Sequence, residues 1–207
     1  MTTQGQNTDN LRVRRTRKII QEALINLTVE KGYNRISVQN IVDRAGINRS
    51  TFYRHYLDKD DLLSKYMDDV TGVIFQNDEI DEEDQEGIPS GLIKLLNHIQ
   101  TFSEFYRIML STDGHPLVSE RLRQKVENRF RIHVTEITKT QCKKGSVIEL
   151  QLRSMSAAGI GAILWWVENK MPCTAEELAV WIGQLSAAAV GQAMQPSSLP
   201  SKPNDQF

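Results

Sequence analysis

The sequence predicts an all-α protein. It should comprise an N-terminal three-helix bundle with a helix-turn-helix, then a larger helical C-terminal domain, about nine helices together. Three observations predict this. Val38, Ile41, Val42 and Ala45 fall at i, i+3, i+4 and i+7, the apolar face of a helix. Gly46 then breaks the pattern before a short stretch, Asn48–Tyr56, that is apolar at Phe52 and Tyr56 but polar and basic at Arg49, Ser50, Tyr53 and Arg54. Charge is also divided: residues 1–59 carry 11 Lys and Arg against 5 Asp and Glu, while the remainder carries 14 against 21. A basic head on an acidic body suits binding to a polyanion.

Taken in order, residues 1–10 are polar and expected to be a disordered arm. A first helix is expected from about Leu11 to Lys31, with Ile19, Ile20, Ala23, Leu24 and Leu27 inward and Gly32 as its stop. Its start is dense in cations (Arg12, Arg14, Arg15, Arg17, Lys18), which sit poorly at the positive end of a helix dipole unless a polyanion lies close. Phosphate or minor-groove contact is expected for some of them. Ser37 should cap a second helix reaching Ala45, and Asn48 a third reaching about Tyr56. A helix that short cannot stand alone in water, so its apolar side must be pinned while its polar side is offered outward.

Asp58 should cap a fourth helix running to about Gln76, with Asp60 and Asp61 in its first turn. It joins the head, residues 11–57, to an effector-binding and dimerisation domain, residues 58–194. Asp78–Glu86 holds seven carboxylates and is expected to be a solvated loop. Helices are expected over Ser90–Leu110, with Ser103 starting a separate short one, and from Pro116 to about Gln141. Val147–Asn169 is the most apolar segment. Its own domain can cover one side only, so a second subunit is expected on the other. Thr174 with Glu177 should form a capping box for the last helix, whose stripe is Leu178, Trp181, Ile182, Leu185 and Ala189. Residues 195–207, with three prolines, read as a disordered tail.

The run Ala45-Gly46-Ile47-Asn48-Arg49-Ser50-Thr51-Phe52-Tyr53-Arg54-His55-Tyr56, followed by Asp58-Lys59-Asp60-Asp61-Leu62-Leu63, resembles the signature of the TetR/AcrR family of bacterial transcriptional regulators. The likeness extends from about Arg14 to Leu63. Val42, Asn48 and Tyr56 depart from the usual residues, yet each keeps the cap or the apolar contact its position needs. Trp165–Trp181 is similar to a subgroup that includes the activator of dihydroxyacetone kinase operons.

The resemblance implies a homodimer on a palindromic operator in double-stranded DNA, with the short third helices in successive major grooves about 34 Å apart. By position in the motif, Gln39, Arg49, Ser50, Thr51 and Tyr53 would face the groove, and Ser37, Tyr53, His55 and Lys59 would anchor phosphates. Asn48 and Arg54 belong to the same DNA-binding set. Arg49 is the leading base reader, because its guanidinium can address guanine O6 and N7 together. The implied effector pocket would draw on Tyr66, Phe75, Phe102, Phe105, Tyr106, Met109, Phe130 and Trp165, although each taken singly reads first as plain core. The implied dimer interface would draw on Ile148, Leu152, Met155, Gly159, Ala162, Trp166, Leu178, Trp181 and Leu185. Repression is the expected mode, through an unknown small-molecule effector. A protein co-regulator of activator type, or a nucleoid-associated or division-control role, are the alternatives.

No cofactor and no metal site is expected. Cys142 and Cys173 lack a ligand spacing, and His98 and His133 stand alone. Catalysis is disfavoured, since Gly159-Ile160-Gly161 is no dinucleotide loop. The first ten residues have no apolar core, and Ala157–Val167 is too short to span a bilayer, so a cytoplasmic, nucleoid-associated protein is expected.

Overall fold

The computed structural model describes residues 3–74, 90–111, 114–138 and 147–193. Nine α-helices are present among them: α1 Thr3–Lys31, α2 Val38–Ala45, α3 Arg49–Tyr53, α4 Lys59–Ile74, α5 Ser90–Thr101, α6 Ser103–Met109, α7 Pro116–Thr138, α8 Val147–Glu168 and α9 Ala175–Ala193. A 3-10 turn, Tyr33–Arg35, sits between α1 and α2. The acidic run, Phe75, Cys142 and the expected tail lie outside the described residues.

The head is built from α1, α2 and α3, with α2 packed across α1 and α3 against α2. Its core is Ile20, Leu24, Leu27, Ile41, Val42, Phe52 and Tyr56. Two departures from expectation occur in α1. It begins at Thr3, not near Leu11, because that polar segment contains no proline and extends a helix already nucleated by packing farther on. Ile19, expected inward, is 36% exposed, so the buried stripe runs through Ile20, Ala23, Leu24 and Leu27.

Ser37 and Asn40 form a reciprocal capping box at the start of α2. The Ser37 hydroxyl accepts from the Asn40 backbone N–H at 3.2 Å, and Asn40 Oδ1 accepts from the Ser37 N–H at 3.0 Å. Ser37→Ala should therefore cost about 1 kcal/mol, read as a shift in a urea denaturation midpoint. Gly46 closes α2 in the left-handed region, at φ 64°, and turns the chain towards α3.

From the head, α4 runs into the body. Asp58 Oδ1 accepts from the N–H groups of Asp60 and Asp61, and Asp61 accepts from Leu57 N–H, so the start of α4 is doubly fastened. In the body, α8 packs between α7 and α9, α5 packs on α9, and α4 packs on α7. The head is held from a second direction as well, because α6 lies against α1. Thr174 and Glu177 form the expected capping box on α9. Among the described residues, no helix is long and apolar enough to cross a membrane.

Candidate nucleic-acid interface

The short helix α3 presents two opposite faces. Phe52 is fully buried and Tyr56 is 2% exposed; their rings lie 5.6 Å apart and plug the helix into the head. Burial pushes the Tyr56 phenol up to about 12, so it is neutral at ordinary pH. On the other side Arg49, Ser50 and Arg54 are exposed and Tyr53 is 50% exposed. The Arg49 guanidinium lies 5.9 Å from the Tyr53 ring centre and reaches its hydroxyl at 3.5 Å. The two side chains thus form one outward unit that can hydrogen-bond base edges and phosphates.

Around this unit the remaining expected contacts differ in availability. Ser37 and Gln39 are exposed, though the Gln39 amide donates to Asp43 Oδ1 at 2.7 Å. Thr51 and His55 are half-buried, as their position near the apolar side implies. Asn48 occupies the N-cap position of α3, yet its side chain makes no capping hydrogen bond; only its carbonyl accepts, from Thr51 and Phe52. Asn48 is therefore not the side-chain cap expected from sequence, and its exposed amide stays open to other partners. His55 is held below the ordinary imidazole range by burial first, then by Arg17, Arg54 and Lys65, and so is neutral at pH 7.

Lys59 is engaged in a way that sequence did not suggest. Its ammonium lies 4.5 Å from the Tyr33 ring centre and donates to the Tyr33 carbonyl at 3.2 Å. The Tyr33 hydroxyl in turn donates to Asp60 and to the Lys59 carbonyl. His115, in the turn between α6 and α7, stacks edge-on against Tyr33 at 5.1 Å and stands 3.9 Å from Asp60. Arg121 on α7 adds a hydrogen bond to Ser64 and an ion pair with Asp68 on α4.

Ion pairing separates head from body. In the body Arg107, Arg121, Arg123, Arg131 and Arg153 are each paired with a carboxylate. In the head Arg44 pairs bidentately with Glu30. Arg12, Arg14, Arg15, Arg17, Arg49 and Arg54 are exposed and make no ion pair among the described residues.

The residues expected to form an effector pocket do not come together as one lining. Tyr66, Phe105, Tyr106 and Met109 are buried core, and Phe102 is half-buried beside them. Tyr66 and Phe105 meet edge-to-face at 5.8 Å, and His98 stands 3.5 Å from the Tyr66 hydroxyl. Burial holds His98 below its ordinary range. Trp165 lies elsewhere, 52% exposed on the outer face of α8. Phe75 and the Phe130 side chain fall outside what is described.

The expected interface set divides likewise. Leu152, Met155, Gly159, Trp166 and Leu178 are buried within the protomer, and the Trp166 indole N–H donates to the Cys173 carbonyl at 2.8 Å. Trp166 is thus an internal anchor, not an outward ridge, because its N–H finds its acceptor inside the α8–α9 corner. Gly159 serves that same packing: a Cβ there would meet Ile182 at 3.7 Å. Ala162 is half-buried, and the Ile148 side chain is outside what is described. What faces outward is Leu150, Ala157, Ala158, Gly161 and Trp165 along α8, with Trp181 and Leu185 on α9. Trp165, Cys173, Leu178 and Trp181 line an apolar groove of about 550 Å3 there.

Known proteins resemble both the head and the body of this chain. A family model for bacterial regulatory proteins of the tetR family matches residues 20–66, and one for a transcriptional regulator C-terminal region matches residues 86–187. The HTH-type dhaKLM operon transcriptional activator DhaS of Lactococcus lactis subsp. lactis (strain IL1403) is 33% identical over 102 residues, 47% of this chain and 50% of that protein. The match thus spans half the length of that curated relative. The HTH-type transcriptional activator FasR of Mycolicibacterium smegmatis is 22% identical over 70% of this chain and 68% of its own length. A solved structure of a dihydroxyacetone kinase operon activator, DhaS, shares the fold at a TM-score of 0.64 and 23% identity, covering 86% of this chain and 97% of that one.

Proposed function

From the premise that the chain belongs to the TetR family of DNA-binding transcriptional regulators, we propose that it binds a palindromic operator as a homodimer, reading bases with α3. The observation that carries this reading is the set of arginines around α3 and over residues 12–17 of α1 that make no ion pair among the described residues. Among the described residues the body arginines named above are matched to carboxylates, whereas in the head only Arg44 is, and Arg12, Arg14, Arg15, Arg17, Arg49 and Arg54 are left open, which suits a partner that brings negative charge.

Arg49 and Tyr53 read base edges, while Ser37, His55 and the cations of α1 hold phosphates. The dimer forms through the outward apolar stripe of α8 and α9, which supports a two-fold four-helix contact. An effector or a protein co-regulator acting on the body sets the operator affinity, and α4 carries the change to the head. The protein acts in the cytoplasm, on the nucleoid.

Repression is the first reading of the output, as the sequence resemblance implies. Activation is a second reading with a specific observation behind it: DhaS and FasR, the relatives matched above, are both named activators. A promoter reporter with and without the protein separates the two.

Selection of bound duplexes from a random pool tests the core of the reading. The enriched site should be two-fold symmetric. Arg49→Ala should cost about 1–3 kcal/mol at one base pair in each half-site and relax preference there. An enriched pool without symmetry, or an Arg49→Ala protein with unchanged preference, would refute it.

A further inference from the structure

One buried side chain pins the five-residue helix α3 in place but does not by itself set its rotation, and that angle decides where Arg49 and Tyr53 point. At the N-terminal end Asn48 makes no side-chain cap. At the other end the side-chain hydrogen bonds come from α4. Lys65 donates its ammonium to the His55 carbonyl at 3.1 Å, just past the last residue of α3. The same ammonium meets Asp61 Oδ2, one turn earlier on α4, at 2.9 Å. That carboxylate oxygen also accepts the Leu57 N–H at 2.8 Å. Lys65 Nζ lies 5.5 Å from the centre of the Tyr56 ring, which packs against Phe52.

A single i,i+4 pair on α4 thus grips both a carbonyl and an N–H of the segment leaving α3. Each of these bonds involves an ionised group, which makes it stronger and more directional than a neutral one. The hydrogen bond from Lys65 first, then that from Leu57 N–H, hold the Asp61 carboxyl below the ordinary carboxylate range, so it is ionised at pH 7. An acid beside a DNA-facing helix works against binding by simple repulsion. The grip on the chain between α3 and α4 is a use that offsets that repulsion.

We propose that Lys65 and Asp61 are positioning residues for base reading: without touching a base, they fix the rotation of α3 and so the direction of Arg49 and Tyr53. The proposal rests on the operator-reading role given to α3 above and names what holds that helix at its reading angle. Lys65 is 48% exposed on its side chain, so a direct phosphate contact is the competing role that the test must separate.

The full chain and its variants are titrated by fluorescence anisotropy with two duplexes. One is the symmetric site enriched by selection with the parent protein; the other is a shuffled duplex of equal length and composition. Lys65→Gln should lower the preference for the enriched site by at least about fivefold, the discrimination carried by one well-placed base contact. Its binding to the shuffled duplex, and the salt dependence of that binding, should match the parent. Lys65→Arg keeps the charge and the donors and should retain the preference. Asp61→Asn gives a test of opposite sign. Removing an acid tightens binding to both duplexes if charge alone matters, whereas loss of the partner of Lys65 should lower the preference. The double variant should lose no more than Lys65→Gln alone, because the pair acts as one unit. Melting points should move by about 2–4 °C at most, as for a partly exposed ion pair.

A salt slope flattened by about one unit per protomer in Lys65→Gln would make Lys65 a phosphate contact and overturn the proposal. So would an unchanged preference in Lys65→Gln and Asp61→Asn. Proportional loss on both duplexes with a large drop in melting would reduce the pair to a support of the fold, and overturn it too. A parent protein that does not prefer the enriched site would refute the operator reading itself, and this proposal with it.

Discussion

Replacing Phe52 by alanine should cost about 3–5 kcal/mol and abolish DNA binding. The side chain is fully buried, and its ring contacts both Tyr53 and Tyr56. The cavity left behind would sit beneath a helix of five residues, too short to hold its shape without that anchor. A larger helix could spread the loss over several contacts; α3 has no other buried side chain of its own. Urea denaturation would measure the stability change, and anisotropy on any duplex would measure binding. Phe52→Leu, which keeps most of the apolar volume, should retain much of both. Full binding by the alanine variant would show that the presented face of α3 is organised by something other than its plug.

Substituting glutamate at both Trp165 and Trp181 should convert the protein to monomers. The two indoles are 52% and 53% exposed and share one apolar groove across α8 and α9. Half an indole covered by a partner is worth about 2–3 kcal/mol, so two on each of two protomers supply a large part of a dimer's stability. Glutamate would instead bring four carboxylates to the contact. Sedimentation should give one protomer mass for the variant and two for the parent. Because neither indole is part of the internal core, the melting of the isolated fold should survive. Operator affinity should fall by about 10²–10⁴, the gain that joining two half-site contacts confers. A monomeric parent would refute the homodimer, and a variant that remains dimeric would move the interface elsewhere.

What was legible in the sequence is what local chemistry decides. Ser37, Gly46, Asp58, Pro116 and the Thr174–Glu177 pair mark helix boundaries through hydrogen bonds or dihedrals set within a few residues, and each stands where expected. The inward placement of Phe52 and Tyr56 and the outward placement of Arg49 and Tyr53 followed from spacing alone. What was illegible depends on three-dimensional competition. Trp165 and Trp166 are neighbours on a helix apolar on most sides, so the wheel could not choose which one turns inward; the Cys173 carbonyl that accepts the Trp166 N–H decides it. Aromatic residues at core spacing cannot be told from a ligand wall, and Tyr66, Phe105 and Tyr106 turned out to be packed on one another. The contact of Lys59 with Tyr33 was illegible because Tyr33 lies 26 residues earlier in the chain.

On the proposed reading, in which α4 carries a signal to the head, the knot of Tyr33, Lys59, Asp60 and His115 is where such a movement would meet resistance. It would work as a latch, with His115 before α7 set against Tyr33 and Asp60 at the root of α4. Its strength is that of a few hydrogen bonds, about 1 kcal/mol each. A signal of about 1.4 kcal/mol already shifts such a balance tenfold, well within the reach of a weak ligand or a lightly held partner.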